Sequence, residues 1–296
     1  MAADGPRERL TFLAYRAASA TARRLPPWVG AAELGALAMA AAMPRRRRLV
    51  GSHLQRVSEG RLAGPALSLA VLRAFVSYGR YWRDSFRLPG MGREELEAHV
   101  SFEGFENLQA GLDRGRGVIL ALPHLGSWDY GGAWLAAIGH PMTVVVEPLP
   151  GEGLSEWFYA RRRAMGLTVV PLGPKAVREV LACLKEGGVV GLVSDRDLGG
   201  GGTTVSFFGE QTTLPAGPAT LALRTGATLL PAAVIDLPGG RHHAILRPPL
   251  DTTRRGPVHQ DVSRITAALA GEMEALIRRA PEQWHLFQPN WPSDPR

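Results

Sequence analysis

The chain has 296 residues, of which 45% are hydrophobic and 21% are charged. This composition is typical of a globular protein with a sizeable core, and it excludes a disordered or fibrous chain. A single cysteine, Cys183, excludes an internal disulfide framework, so the sequence requires no oxidising compartment. The formal net charge of +7 indicates an acidic partner, which can be nucleic acid, an anionic membrane surface or a phosphate-rich small molecule.

The first part of the chain, residues 6–87, is predicted to be entirely helical, because its apolar residues recur at helical spacing. Three breaks interrupt this pattern, at Pro26-Pro27, Pro44 and Gly64-Pro65. After the second break, Pro44 can begin a helix whose first turns carry the arginines of "PRRRR". A basic helix beside an apolar one is typical of a segment that lies on anionic lipid, although a solvated arginine face explains the same pattern.

Neither a signal peptide nor a transmembrane helix is expected. The N-terminal segment "MAADGPRERLTFLAYR" lacks the basic-then-apolar order of a signal peptide. The longest nearly apolar segment, residues 29–44, contains Glu33 and is shorter than the roughly 20 residues that a spanning helix needs.

From about residue 99 the pattern changes to short β-rich runs that alternate with helical stretches. The runs are "HVSFEG", "GVILALPH", "MTVVVEP", "LTVVPLG", "GVVGLVSD", "TVSFFG", "ATLLPAAVID" and "HHAILRPP". The helical stretches are 105–114, 126–138, 154–165, 174–186 and a final helix over 257–280. This alternation predicts an α/β fold with a central, mainly parallel sheet covered by helices on both faces.

A single domain is expected over 1–296, because the sequence contains no internal repeat and no long linker. Within it we distinguish a helical N-terminal lobe (1–98), an α/β catalytic core (99–250) and a C-terminal helix and tail (251–296).

Ionisable residues follow two of the predicted strands. His124 comes directly after the apolar run "GVILALP", and Asp129 follows five residues later, across a turn that Gly126 permits. In parallel sheets, ligands bind at the carboxyl ends of strands, where an imidazole with a carboxylate partner can act as a general base. A structural histidine followed by a helix cap, provided by Ser127 or Asp129, fits the same spacing.

The strand "GVVGLV" runs into a second polar segment, Ser194, Asp195, Arg196 and Asp197. If the two strands are parallel and close, His124 and Asp195 face one cleft and form a base with its orienting carboxylate. A loop of capping aspartates and turn glycines is the alternative explanation.

The sequence offers no convincing covalent nucleophile. Ser127 lacks the second glycine of a nucleophile elbow, and Cys183 lies in the apolar stripe of a helix. Direct attack by a substrate hydroxyl or by water is therefore the simpler mechanism. No metal is expected either, because no Cys/His cluster has ligand spacing and His242-His243 point to opposite faces of a strand.

With these residues in view, the chain resembles the bacterial family of lipid A biosynthesis lauroyl acyltransferases and, within it, the phosphatidylinositol mannoside acyltransferases. The resemblance covers nearly the whole chain. It is carried by "FVSYGRYWRDSFRLP", "ALPHLGSWDYGG", "YARRRAMGLTVVPLG", "GLVSDRDL", "VSFFGEQTTLPAGPATLALRTGA" and "PEQWHLFQPNW". The His-x-x-x-x-Asp element is shared by many glycerolipid acyltransferases, whereas the combination with the other motifs is much more specific.

This resemblance implies transfer of a long-chain fatty acyl group, palmitoyl, from acyl-CoA to the 6-hydroxyl of the mannose on inositol position 2 of a phosphatidylinositol mannoside. It implies acyl-CoA as co-substrate, a phosphoinositide mannoside glycolipid as acceptor and no cofactor. It also implies peripheral work on an anionic membrane surface, at the cytoplasmic face of the inner membrane.

Residue roles carry over by motif position. His124 is similar to the family's catalytic base, Asp129 to the acidic end of its motif, and Asp195 to the acidic partner of the histidine. In the mannoside enzymes the residue at this position looks like a glutamate. The side chain of Asp195 is one methylene shorter than that glutamate. Amides near Gly126 are candidate donors to the oxyanion.

Substrate binding is expected of the arginines and of several apolar or aromatic residues. In "WFYARRRAMG", at least one arginine can turn toward the cleft to bind phosphate, and Arg162 is the one similar to a motif arginine. The full set is Arg162, Arg196, Phe207, Phe208 and His285, with the helix over 66–82 as further lining of an acyl tunnel. Solvated arginines and ordinary core aromatics are the alternatives.

Rival functions remain open on the sequence alone. The nearest are a lipid A type lauroyl or myristoyl acyltransferase and an acyl-CoA thioesterase, in which water replaces the sugar hydroxyl. A lipid-binding membrane scaffold explains the charge and the apolar helices, but not the ionisable groups at two strand ends. Nucleic acid is not an expected partner, because the arginines are not interleaved with exposed aromatics.

Overall fold

The computed structural model describes residues 5–26 and 30–295. Within these ranges the α-helices are α1 (Pro6–Arg24), α2 (Ala31–Ala42), α3 (Pro44–Val57), α4 (Gly64–Arg87), α5 (Arg93–Ala98), α6 (Phe105–Asp113), α7 (Trp128–Ala137), α8 (Glu152–Ala164), α9 (Ala176–Lys185), α10 (Gly217–Thr225) and α11 (Val258–Arg279). The strands are β1 (Val100–Glu103), β2 (Val118–Leu122), β3 (Met142–Val146), β4 (Thr168–Pro171), β5 (Val189–Val193), β6 (Thr203–Phe207), β7 (Glu210–Leu214), β8 (Thr228–Leu237) and β9 (Arg241–Leu246).

A seven-stranded sheet lies at the centre, with the strand order β1-β9-β8-β2-β5-β3-β4. Strands β8, β2, β5, β3 and β4 run parallel to one another. Strand β9 runs antiparallel to β8 and pairs with β1 at the edge. The mainly parallel α/β architecture predicted from the sequence is therefore confirmed.

Helices cover both faces of the sheet, as the sequence predicts. The side chains of β2 alternate between two hydrophobic cores, because successive residues of a strand point to opposite faces. Ile119 and Ala121 pack in the core that contains Leu269 and Met273 of α11. Leu120 belongs to the other core, beside α7. Burial on both faces explains why β2 reads as a continuous apolar run.

The N-terminal lobe is helical in all its described parts, and α3 begins at Pro44 as expected. The first predicted break begins after α1 ends at Arg24, while Pro27 lies outside the described residues. Helix α2 packs closely on α4, where a Cβ atom at Gly79 would lie 2.7 Å from the carbonyl oxygen of Ala32. In the described part of the chain, no helix is long and apolar enough to cross a bilayer.

Some elements differ from the sequence prediction. The run "TVSFFG" does form a strand, but β6 pairs only with β7 in a separate antiparallel hairpin and does not join the central sheet. Strand β7 was not predicted, because "EQTTL" is polar and contains no run of apolar residues. The short helices α5 and α10 were also not predicted. The division at residues 98 and 250 falls between elements, and the single-domain organisation stays a prediction.

The C-terminal tail returns to the N-terminal lobe. Both ring nitrogens of His53 face oxygen acceptors, with Nδ1 3.1 Å from the Leu286 carbonyl and Nε2 3.0 Å from Asp294 Oδ2. Burial would raise the pKa of Asp294, but hydrogen bonds from His53 and from the amides of Asn290 and Trp291 hold it far below its ordinary value. This buried cluster fixes the tail against α3.

The turn between β2 and α7 depends on Gly126. Its φ is +56°, and a Cβ atom there would lie 2.1 Å from the carbonyl oxygen of Val234. We expect Gly126→Ala to lower the free energy of unfolding by about 3 kcal/mol. The cost of a positive φ in alanine and the cost of the clash with the Val234 carbonyl both contribute. Urea denaturation measures this change. Gly173→Ala is the control, since Gly173 has open space around it and no positive φ, and equal losses in both variants would contradict the prediction.

Candidate active site

His124 and Asp195 meet at the carboxyl ends of two adjacent parallel strands. Strands β2 and β5 pair in a register that places Leu122 opposite Val193. The two residues that follow each strand bring the imidazole and the carboxylate together, and His124 Nδ1 lies 2.7 Å from Asp195 Oδ1. The sequence predicted this proximity on the condition that the strands are parallel neighbours, and the sheet order meets that condition.

The Asp195 carboxylate is completely buried, with 0% of the residue exposed. Its Oδ2 accepts hydrogen bonds from the backbone amide of His124 at 2.9 Å and from Trp284 Nε1 at 2.7 Å. Burial would raise the pKa of Asp195, but the attraction of His124 and the hydrogen bonds from His124 and Trp284 lower it below its ordinary value. The carboxylate is therefore ionised at neutral pH.

An ionised Asp195 fixes the tautomer of His124. Because the carboxylate only accepts hydrogen bonds, Nδ1 of the imidazole carries the proton that it donates. The opposite nitrogen, Nε2, then has a free lone pair. The His124 side chain is 30% exposed and lines a cavity, so Nε2 is available to a substrate hydroxyl. This arrangement has the chemistry of a general base with an orienting carboxylate.

The cavity has a volume of about 330 Å³ and extends from His124 into the protein. Apolar side chains from the sheet, α4 and α7 dominate its lining. They include Tyr78, Tyr81, Trp82, Leu120, Leu122, Trp134, Leu135, Met142, Val144, Val234 and Leu246. The predicted helix over 66–82 therefore reaches the cavity through three aromatic residues of α4. Glu147 and Arg196 also line it and form an ion pair at 2.9 Å.

Asp129 lies beside the same cavity, but its hydrogen bonds go to other residues than His124. Its carboxylate accepts bonds from Tyr81 Oη at 2.9 Å, from Ser85 Oγ at 2.6 Å and from Arg162 Nε at 3.2 Å. Burial would lower the pKa of Arg162, but Asp129 raises it above its ordinary value. Asp129 therefore ties α7 to α4 and α8 and keeps Arg162 charged at the cavity wall.

The structure contradicts one expectation about the turn after His124, and oxyanion donors near Gly126 stay a prediction. Neither Ser127 nor Asp129 caps α7, because the Ser127 side chain makes no cap hydrogen bond and the Asp129 carboxylate is occupied as described. The Gly126 amide is not free for an oxyanion, because it donates to the Gln283 carbonyl at 2.9 Å. The Ser127 amide likewise donates to Val234.

His285 lies close to His124 and is held neutral. Burial, together with the charge of His124, lowers its pKa to about 3 despite the attraction of Asp236. Its Nε2 lies 2.9 Å from Ser77 Oγ, and among the described residues Nδ1 has no hydrogen-bond partner. The backbone amide of His285 donates to the His124 carbonyl at 2.7 Å.

Phe207 and Phe208 do not line the cavity that holds His124. Both are buried in the main hydrophobic core, and the Phe207 ring stacks on Trp291 with centroids 5.7 Å apart. Phe208 packs on Trp284, with centroids 5.8 Å apart. This placement corrects the expectation that they line an acyl tunnel, because in a sequence a buried aromatic pair looks the same whether it faces a cavity or the core.

Comparison with known proteins identifies the family. The profile of the bacterial lipid A biosynthesis acyltransferase family matches residues 70–293. The chain belongs to this family. It is 37% identical to the phosphatidylinositol mannoside acyltransferase of Mycolicibacterium smegmatis (strain ATCC 700084 / mc(2)155), over 97% of this chain and 93% of that protein.

Two further relatives place the chain within the family. It is 41% identical to the phosphatidylinositol mannoside acyltransferase of Mycobacterium tuberculosis (strain CDC 1551 / Oshkosh), over 74% of this chain and 69% of that protein. It is 27% identical to the lipid A biosynthesis palmitoleoyltransferase of Escherichia coli (strain K12), over 74% of this chain and 66% of that protein. The acyltransferases with lipid A names are thus more distant relatives.

Sequence reasoning missed two tail residues of this acyltransferase that contact Asp195. Trp284 donates to its carboxylate, and Asn290 Nδ2 donates to its carbonyl oxygen at 3.1 Å. Both lie in "WHLFQPNW", the motif from which we selected only His285. A buried carboxylate needs hydrogen-bond donors, and the indole N–H of a tryptophan is one. The expected burial of Asp195 was therefore the signal that could have pointed to Trp284.

We expect both Asp195 and its hydrogen-bond donor Trp284 to affect turnover. Asp195→Asn should lower kcat about 10⁴-fold, because the amide no longer selects the His124 tautomer or stabilises the imidazolium. Trp284→Phe should lower it by about tenfold to a hundredfold, the usual value of a hydrogen bond to a charged group. Steady-state acyl transfer measures both. Trp157→Phe, outside the His124 cavity, is the matched control, and equal activity of the two tryptophan variants would show that the indole bond is dispensable.

The neutrality of His285 predicts the shape of the pH profile. A mechanism with one general base loses activity through one protonation, and His285, with a pKa of about 3, stays neutral between about pH 5 and 8 and adds no second one. The acidic limb of log kcat/KM against pH should therefore have a limiting slope of about one. A slope near two, reduced to one by His285→Gln, would show instead that His285 titrates in this range.

Proposed function

We propose that this protein transfers a long-chain fatty acyl group from acyl-CoA to a mannose hydroxyl of a phosphatidylinositol mannoside. The observation that carries the proposal is the His124–Asp195 pair at the mouth of an apolar cavity, in a chain of an acyltransferase family. The acceptor is inferred from two relatives whose names contain it. Palmitoyl as the acyl group and the 6-hydroxyl of the mannose on inositol position 2 follow from the family resemblance.

The reaction proceeds by direct attack. His124 Nε2 takes the proton from the mannose hydroxyl, and the oxygen attacks the thioester carbonyl carbon of acyl-CoA. The tetrahedral intermediate collapses as the carbon–sulfur bond breaks, and the protonated His124 returns the proton to the leaving CoA sulfur. Asp195 stabilises the imidazolium through Nδ1 during both proton transfers, because its charge is fixed and only 2.7 Å away.

The apolar part of the His124 cavity accommodates the donor acyl chain. Its walls are the side chains of β2, β3, β8 and α7, which present methyl groups and aromatic rings rather than hydrogen-bonding groups. An aliphatic chain gains from this burial through the hydrophobic effect. The thioester then lies at the mouth, next to His124.

The two cavity arginines have different roles. Arg162 is paired with Asp129 and keeps the wall of the cavity in place. Arg196 is paired with Glu147, whose side chain is half exposed, and among the described residues its buried Nε has no hydrogen-bond partner. A guanidinium with a spare donor fits an anionic oxygen, so we assign Arg196 to a phosphate of acyl-CoA.

The protein works as a peripheral membrane protein at the cytoplasmic face of the inner membrane. Support for membrane contact comes from the N-terminal lobe, which exposes both large apolar side chains and arginines. Leu10, Leu13, Leu34 and Leu37 project from α1 and α2, and Arg45, Arg47 and Arg48 are exposed at the start of α3. Apolar groups and cations on one surface are suited to an anionic bilayer.

The decisive experiment measures CoA release by purified wild type, His124→Ala and the control His259→Ala, whose histidine is exposed on α11. Palmitoyl-CoA is the donor, and the acceptors are phosphatidylinositol monomannoside, the dimannoside, a lipid A precursor, or none. We expect release only with a mannoside, and a loss of at least about 10²-fold in His124→Ala, the contribution of a general base.

The other outcomes identify the rival functions. Release without an acceptor would make the protein an acyl-CoA thioesterase. Release with the lipid A precursor alone would make it a lipid A type acyltransferase. Absence of turnover with every acceptor would leave a lipid-binding membrane scaffold, and full activity in His124→Ala would overturn the mechanism.

A further inference from the structure

A second cavity lies between α1, α2 and α4, outside the α/β core. Its volume is about 690 Å³, roughly twice that of the cavity at His124. Small residues dominate the sides formed by α1 and α2, namely Ala14, Ala18, Ala22, Ala31, Ala32, Gly35 and Ala36. Aromatic rings of α4 and the tail close the opposite side. Small side chains leave space between packed helices, and here that space is apolar.

The second cavity adjoins the catalytic one, and the two share part of their lining. Tyr78, Trp82, His285 and Gln288 line both cavities. The ring of Trp128 bridges the two histidines, with its centroid 5.4 Å from that of His124 and 5.8 Å from that of His285. A molecule in the second cavity therefore contacts His285, and the ring of Trp128 lies between that residue and His124.

The polar groups of this cavity include a cation that is available to a ligand. Glu33 and Arg83 also line it, but they are ion-paired with each other at 3.4 Å. Arg46 is exposed and donates from Nη1 to the Phe287 carbonyl at 2.8 Å, which leaves its other N–H groups for a ligand. An apolar interior with a guanidinium beside it is complementary to a lipid that carries a phosphate.

The surroundings of the cavity favour a chain that comes from a bilayer. The two helices that form its alanine-lined sides, α1 and α2, are the same helices that expose leucines to the outside, with Leu10 69% and Leu34 67% exposed. A lipid in a membrane under this surface needs to move only past one helix layer to reach the cavity. Its headgroup then remains near the catalytic end.

We propose that this second cavity binds one fatty acyl chain of the acceptor, a membrane phospholipid that carries the glycan on its phosphate. The cavity at His124 holds the donor acyl chain at the same time, and Arg46 contacts the acceptor's phosphate. This assignment rests on the proposed function. Two apolar cavities that share a wall at His285, beside the base, suit a reaction in which both substrates have aliphatic chains and only the hydroxyl and the thioester must touch.

The test fills the cavity and compares two acceptors. Ala14 and Ala18 lie one turn apart on α1 and both line the cavity. In Ala14→Phe/Ala18→Phe, the KM ratio of diacyl phosphatidylinositol mannoside to its deacylated, water-soluble headgroup should rise at least about tenfold, because each methylene that loses its burial weakens binding several-fold. The control Ala17→Phe/Ala38→Phe changes exposed alanines outside the cavity lining, and it should keep the wild-type ratio.

Other kinetic results overturn the assignment. An unchanged ratio in the filled variant would exclude the acceptor chain from this cavity. A rise in the KM for palmitoyl-CoA alone would place the donor chain there instead.

A binding measurement separates this proposal from the proposed function, because it needs no turnover. Phosphatidylinositol with a diazirine in one acyl chain should label peptides of α1, α2 or α4 in the wild type, and labelling should fall at least about tenfold in Ala14→Phe/Ala18→Phe. Such labelling in a protein that transfers no acyl group would contradict the proposed acyl transfer but support the lipid site. Equal labelling in the filled and control variants would overturn the site.

Discussion

The buried charge of Asp195 is the constraint on which the active site depends. A carboxylate removed from water is costly unless hydrogen bonds and a nearby cation compensate. Here the compensation comes from three distant parts of the chain: the turn after β2 supplies the ring and amide of His124, the carboxylate follows β5, and the tail supplies Trp284. The charge is stable only when all three are assembled, so the base is correctly oriented only in the complete fold.

The tail owes its position to a second buried charge. Asp294 binds the imidazole of His53 and accepts a hydrogen bond from Arg56, both of them on α3. This attachment holds the segment that begins with Trp284 against the N-terminal lobe. The two buried carboxylates are therefore coupled through the chain, because the residues between them include the indole that binds Asp195. The N-terminal lobe supports the catalytic pair through the tail as well as through α4.

The sequence predicted the parts of this site that follow from local pattern. An apolar strand that ends in a histidine, and another that ends in an aspartate, placed His124 and Asp195 at one edge of a parallel sheet. The partners of Asp129 did not follow, since its contacts are with Tyr81 and Arg162 on helices far away in the chain. No periodicity links those positions. Long-range hydrogen bonds are set by packing, and packing is what a single sequence does not display.

Two acidic residues that read alike in the sequence have different physical roles. Asp129 accepts hydrogen bonds from Tyr81 and Ser85 on α4 and pairs with Arg162 on α8, so its carboxylate joins three helices. Asp195 accepts from the ring of His124 through one oxygen, and of the described residues that donate to Asp195, His124 alone lines the cavity. The two carboxylates therefore differ in what they position: Asp129 positions Arg162 in the cavity wall, and Asp195 positions the imidazole of His124.

The wall that the two cavities share contains a polar residue that carries no charge. His285 lines both cavities, and its burial keeps the imidazole neutral, with a pKa of about 3. A charged group there would face apolar surfaces on two sides and would repel the protonated His124 that forms during the reaction. A neutral imidazole whose Nε2 lies 2.9 Å from Ser77 Oγ avoids both costs. In the proposed mechanism His124 gains and loses a proton, whereas the burial of His285 keeps that residue neutral beside it.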